Sequence, residues 1–249
     1  MRMTVRRRLK TIGVALVALL VVVSLGFYIW TRVARYPAFP EAVTVADAAR
    51  TERGWYVFEP TGEADAGFIF YPGGLVDPAA YGPLMRQLSE DGILAVIVPM
   101  PLDLAVFGIG RADDVVAAYP EVDTWVIGGH SLGGAMAAEY LKGNPGAIDG
   151  IVFLASYPAE STDLSTLPVG ALSIYGTEDG VAGDVFEDSL RRLPAGTPLE
   201  VLDGGNHAQF GNYGPQEGDG VATMGRDEQQ RLTASAIAAL VERAVSADE

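Results

Sequence analysis

The sequence predicts an α/β fold, a mostly parallel central sheet with helices on both faces and no large cap, behind an N-terminal transmembrane helix. Three observations carry this. Short, continuously apolar strands alternate with helical segments from residue 51 onward, the pattern of a sheet buried on both sides. A Gly-x-Ser-x-Gly turn sits where a strand meets a helix. A 19-residue stretch without charge, Ile12 to Trp30, follows a basic N-terminus.

The N-terminal stretch comes first. Arg2, Arg6, Arg7, Arg8 and Lys10 precede it with no acid among them. As a helix it would span about 28 Å at 1.5 Å per residue, close to a bilayer's hydrocarbon core. Phe27, Tyr28 and Trp30 fall at its far end, as in an interfacial belt, and the basic end is expected to stay cytoplasmic. Residues 1–35 are therefore expected to be a basic tail and single-pass membrane anchor, with the rest extracytoplasmic. Secretion after signal-peptide cleavage is the alternative, but the run is long for a signal peptide and no Ala-x-Ala follows it.

Residues 36–50 are expected to be a spacer, because Pro37 and Pro40 in Tyr36-Pro-Ala-Phe-Pro40 oppose a helix and read as extended chain. Residues 51–249 then form one domain, long enough for a large core and too short for two of usual size. Seven of the 17 basic residues lie before position 41, where there is no acid. The remainder holds 10 basic residues against 32 acidic ones, a balance of −22. Such a surface disfavours nucleic acid and anionic lipid as partners, and solubility accounts for it. The chain has no cysteine, which excludes disulfides, cysteine nucleophiles and thiolate metal sites while leaving the compartment open.

Strands are expected at 54–59, 66–71, 93–98, 125–127, 151–154, 172–175 and 199–202, with helices at 79–91, about 111–118, 132–142, 184–193 and 226–245. The last helix carries a stripe of Leu232, Ile237, Leu240, Val241 and Val245. There is no internal repeat. No insertion long enough for a lid separates the later strands, which argues against a lipase that closes over long acyl chains.

Gly128-Gly-His-Ser-Leu-Gly-Gly134 has the form of a nucleophile elbow. A side chain at 129 or 133 would crowd the neighbouring strand or helix, while Ser131 is lifted clear of the sheet and the Leu132 N–H is aimed at a developing oxyanion. A serine hydroxyl needs a base, and the chain has two histidines. His130 adjoins the serine with its side chain directed away, which leaves His207, in a loop after the last strand where ligands of open α/β sheets bind. The acid that orients it should follow a strand between 131 and 207. Asp179, ahead of Gly180 in Tyr175-Gly-Thr-Glu-Asp-Gly180, is preferred over Glu178 and over Asp184. A second oxyanion donor is expected from Tyr71-Pro-Gly-Gly-Leu-Val76, where Gly74 and Leu75 remain equal alternatives.

These motifs, with Tyr71–Tyr81 and the long Gly204–Gly220 stretch, make residues 52–245 resemble the α/β-hydrolase superfamily. Within it they resemble a small uncapped group related to dienelactone-hydrolase-like and carboxylesterase-like enzymes, the α/β-hydrolase fold-5 family. The resemblance implies Ser131 as nucleophile, Asp179 and His207 as its partners, and backbone donors near Gly74 and Leu132. One departure is that the lipase-type His-Gly-Gly-Gly loop is here Tyr-Pro-Gly-Gly, so lipase or carboxylesterase substrate preference does not carry over. Tyr213, Gln216 and Asp219 are expected to fix the histidine loop, and Phe210, Tyr213 and Phe107 to wall an acyl pocket.

The expected activity is hydrolysis of a carboxylic ester or related acyl bond in a small-molecule substrate, through an acyl-enzyme and without metal or organic cofactor. An acyltransferase on the same triad and a non-catalytic binding module on the same fold are the alternatives. The sequence leaves the oligomeric state open.

Overall fold

The computed structural model describes residues 2–183 and 185–248, and along the sequence they divide into two units after Arg35. The first unit is helix α1 (Arg2–Val33). Its stretch Leu9–Val33, 25 residues, is long and apolar enough to cross a membrane, and its large apolar side chains are exposed.

The second unit opens with α2 (Pro40–Asp47), which lies inside the expected spacer. Proline opposes a helix in its interior but suits the first turn, where its missing N–H has no partner to lose; Pro40 stands there. Ala42 and Ala46 are fully buried, so 36–50 belongs to the folded domain rather than linking to it. Ahead of the helix the chain is extended, as the prolines require. Tyr36 N–H donates to Leu75 O at 2.7 Å, Asp77 N–H donates to Tyr36 O at 2.9 Å and Phe39 N–H donates to Asn212 O at 2.8 Å.

Strands β1 (Arg50–Glu52) and β2 (Trp55–Phe58) form a hairpin whose turn residues Arg53 and Gly54 both have positive φ. Then follow β3 (Ala66–Tyr71), α3 (Gly82–Glu90), β4 (Leu94–Ile97), α4 (Arg111–Ala118), β5 (Thr124–His130) and α5 (Leu132–Gly143). The chain continues with β6 (Gly150–Leu154), β7 (Gly170–Gly176), α6 (Val185–Ser189), β8 (Leu199–Leu202) and α7 (Arg226–Asp248). The sheet order is β1-β2-β4-β3-β5-β6-β7-β8, parallel from β4 through β8 and antiparallel at β1–β2 and β2–β4.

Alternation along the strands sorts the core into two layers. Phe68, Phe70, Val126 and Val152 face α3 (Leu84, Met85, Leu88) and α7 (Ile237, Leu240, Val241). Ile69, Tyr71, Ile127 and Phe153 face α4 (Ala112, Val115) and α5 (Ala137, Ala138, Leu141). The parallel strands all point their carboxyl ends the same way, and the loops at that edge, after β3, β5, β6, β7 and β8, carry the site.

Candidate active site

Strand β5 runs without a break to His130, and Ser131 makes the turn into α5 at φ 52°, ψ −122°, a left-handed conformation that costs a non-glycine residue free energy. Crowding explains the flanking glycines. A Cβ at Gly129 would lie 2.4 Å from Gly133 C, and one at Gly133 would lie 2.0 Å from Tyr71 O. Ser131 N–H donates to Leu154 O at 3.0 Å, and Ser156 Oγ donates to Ser131 O at 2.6 Å, so the turn is tied to the end of β6 and to the loop just after it. Leu132 is the first residue of α5, and its N–H is one of the helix's unsatisfied donors.

His207 follows β8 and starts a short 3₁₀ turn, Ala208–Phe210. Its Nδ1 lies 3.0 Å from Asp179 Oδ2, with the two side chains 1% and 3% exposed. Asp179 Oδ1 accepts from the N–H groups of Val181 (2.8 Å) and Ala182 (3.0 Å) in the turn after β7. Burial alone would raise the Asp179 carboxyl pKa. The hydrogen bond and charge of His207, with the two backbone donors, outweigh that and hold it below its ordinary value. With Asp179 ionised, Nδ1 carries the imidazole proton, and Nε2 is left as an acceptor, buried and without a hydrogen-bond partner among the described residues. Ser131 and His207 line one cavity of about 290 Å³ together with Leu132, Ala135, Ala155, Ser156, Tyr157, Val181 and Ala182. Glu178 is exposed, and Asp184 lies outside the described residues.

The loop that carries His207 is built from polar groups far away in the chain. Asp219 accepts from His207 N–H (3.1 Å) and Ala208 N–H (2.8 Å), and Tyr213 Oη donates to Gln216, as the sequence led us to expect. Three further residues were missed. Asn206 Nδ2 donates to Gly220 O at 2.8 Å, Gln229 pairs twice with the Asn206 backbone, and the Arg226 guanidinium donates to Ala208 O and Gly211 O. The one visible signal was two glutamines, Gln229 and Gln230, at the start of an amphipathic helix; both are buried.

The loop after β3 resolves one open choice. Leu75 N–H donates to Asp103 O at 2.7 Å, which removes Leu75 from the two alternatives for the second oxyanion donor. No acceptor among the described residues takes the Gly74 N–H, and a Cβ at Gly74 would lie 3.1 Å from Leu132 Cδ2, which puts the glycine beside the elbow.

The aromatic pocket walls also need correction. Phe210 and Tyr213 are fully buried, because the 3₁₀ turn directs Phe210 toward His130 (ring centroids 5.8 Å apart) and Ala38 bridges across Tyr213. They support the site from beneath. Phe107 is 53% exposed and absent from the Ser131 cavity, since its own 3₁₀ turn buries Ala105 and turns Phe107 outward.

No functionally curated protein matches the sequence. Among solved structures, the fold resembles an esterase domain from a Rhodothermus marinus protein (TM-score 0.58, 15% identity, 79% of this chain and 97% of that one). It also resembles a CIB-like hydrolase from Thermoplasma acidophilum (0.55, 18%, 77% and 98%) and Est1E from Butyrivibrio proteoclasticus (0.58, 12%, 78% and 97%). A model of the alpha/beta hydrolase family matches residues 67–231, two-thirds of the sequence, and on that match, with this sheet and this elbow, the chain belongs to the α/β-hydrolase family.

Proposed function

We propose that the protein is a serine hydrolase of carboxylic esters or related acyl bonds, anchored in the membrane by α1 with its domain outside the cytoplasm. The observation that carries this is a single one. Ser131, in the strained elbow, opens on the same cavity as an imidazole whose Nδ1 is committed to Asp179 and whose Nε2 has no other use.

In this reading Ser131 Oγ attacks the acyl carbonyl while His207 Nε2 takes its proton, and Asp179 stabilises the imidazolium that results. The oxyanion is received by the N–H groups of Leu132 and Gly74. The imidazolium returns the proton to the departing alcohol, and a water activated by His207 releases the acid. Among the described residues no Asp, Glu, Lys or Arg lines the cavity, which favours an uncharged acyl group. The esterase domain among the structural relatives supports an ester as substrate. For the anchor, the support is the length and apolarity of Leu9–Val33 and the basic cluster ahead of it.

The test uses the full chain in detergent micelles, treated with a fluorophosphonate probe and assayed against short- and medium-chain nitrophenyl esters. Wild type is expected to label and turn over, and Ser131→Ala and His207→Ala to do neither. A wild-type protein that neither labels nor hydrolyses any ester refutes the proposal.

A further inference from the structure

The mechanism above leaves one buried imidazole unused. His130 is the last residue of β5, held by pairing to Leu154 of β6, and fully buried. Its Nδ1 lies 2.9 Å from Tyr81 Oη, and that same oxygen accepts the Gly73 N–H at 3.1 Å. Tyr81 ends a 3₁₀ turn (Pro78–Tyr81), and its ring lies 4.7 Å from that of Phe70. The oxygen has one proton to give, and with the Gly73 N–H already accepted, the favourable assignment sends that proton to Nδ1. His130 is then a neutral imidazole with its proton on Nε2.

The same ring touches the base. The centroids of His130 and His207 are 4.4 Å apart at a tilt of 52°. On its other side the loop after β3 rests on the Tyr81–His130 pair so closely that a Cβ at Gly73 would come within 2.7 Å of His130 Nδ1 and 2.8 Å of Tyr81 Oη. Gly73 immediately precedes Gly74, the proposed oxyanion donor. One rigid pair of rings therefore abuts both pieces of machinery that must converge on Ser131, and it is rooted in the strand that carries Ser131.

We propose that His130 and Tyr81 are positioning residues: through the Gly73–Tyr81–His130 hydrogen bonds and the His130–His207 ring contact they set the spacing between the oxyanion loop and the base. The inference rests on the acyl-transfer reading given above. Burial first, and the adjacent His207 second, hold the His130 pKa well below its ordinary value, with the His207 backbone acting weakly the other way. The ring thus adds no second positive charge when His207 takes the serine's proton. Misplacing a donor or base affects groups that act fully only in the transition state, so the defect belongs in kcat rather than KM.

The experiment compares steady-state ester hydrolysis and fluorophosphonate labelling of the full-length wild type, Tyr81→Phe, His130→Leu, His130→Asn and the Tyr81→Phe/His130→Leu double variant, each checked for an intact thermal transition. Tyr81→Phe and His130→Leu are expected to lose about tenfold to a hundredfold in kcat with KM within about twofold. The double variant should be no worse than the worse single one, because both changes cut the same chain of contacts. His130→Asn, whose amide oxygen can accept the Tyr81 proton near the former Nδ1 position, should recover most of the loss. Should His130→Leu fail to fold, Tyr81→Phe, which keeps the ring in place, decides the matter. Unchanged kcat in Tyr81→Phe, a loss carried by KM, or His130→Asn as defective as His130→Leu overturns the proposal. A wild type that neither labels nor hydrolyses would instead refute the acyl-transfer reading beneath it.

Discussion

The elbow and the histidine loop put two side chains into one cavity by opposite means. The Ser131 turn is admitted by the glycines on either side of it. The glycines at 129 and 133 admit backbone that no side chain could share, and bonds to Leu154 O and from Ser156 Oγ complete the turn. His207 is placed by residues remote from it in the sequence, Asp179, Asp219, Arg226 and Gln229, acting through hydrogen bonds to a loop with little regular structure. The serine's turn rests on a steric condition met by the two glycines beside it, and the histidine's position on polar groups distributed over the chain. The first should fail all at once, and the second by degrees.

Gly133→Ala is the harshest way to break that contrast. Its Cβ would meet backbone atoms on one side, Tyr71 O and Pro72 O at 2.0 and 2.5 Å, and backbone of the central strand cannot step aside. We expect a loss of about 3 kcal/mol or more of stability and no fluorophosphonate labelling, measured by thermal melting and gel fluorescence. A variant that melts and labels like wild type would show that the elbow has slack.

Asp219→Ala should act more gently on the other side. It strips the acceptor from the N–H groups of His207, Ala208 and Gly220, for an expected cost of about 2 kcal/mol and a fall of about tenfold in kcat, with Ser131 still reactive to the probe at a reduced rate. Denaturant titration and steady-state kinetics check both parts. Complete loss of the fold would place this loop with the elbow rather than against it.

The smallest effect is read in pH. His130, between the strand that ends in the elbow and the base, has a depressed pKa in the folded state, so the unfolded chain binds the extra proton first as pH falls below the ordinary value near 6.5. The fold loses stability from there downward, until the pH reaches the folded-state pKa. Tyr81, His207 and Tyr213 are the titratable groups facing it. His130→Asn should flatten the stability difference between pH 7.5 and 5.5 by about 1 kcal/mol in chemical denaturation. An unchanged slope would assign the acid sensitivity elsewhere.

The same contrast explains what could be read without coordinates. Features set by local pattern were legible: the buried parallel strands, the strained serine turn, the amphipathic last helix, and an Asp-Gly turn supplying the partner of His207. Asp219 was legible through the unusually specific Gly211–Gly220 stretch that carries it. Helix α2 was not, because proline was weighed as a breaker when its place at the first turn makes it a starter. Strand β1 has no apolar alternation and exists through pairing with β2. The choice between Gly74 and Leu75 depended on a carbonyl from Asp103, 28 residues away in sequence from Leu75, and the burial of Phe210 and Tyr213 depended on a ring, His130, whose partner Tyr81 lies in another turn. Long-range hydrogen bonds leave no periodic trace.

The extended residues 36–39 act as a lace through the mouth of the enzyme. Tyr36 is knotted to the backbone of Leu75 and Asp77 on one side, and Phe39 to Asn212 on the other, so a single short thread draws together the loop bearing Gly74 and the loop bearing His207. A cut upstream of Tyr36 leaves the thread intact. A chain shortened to Pro40 would lose the ties to both loops at once.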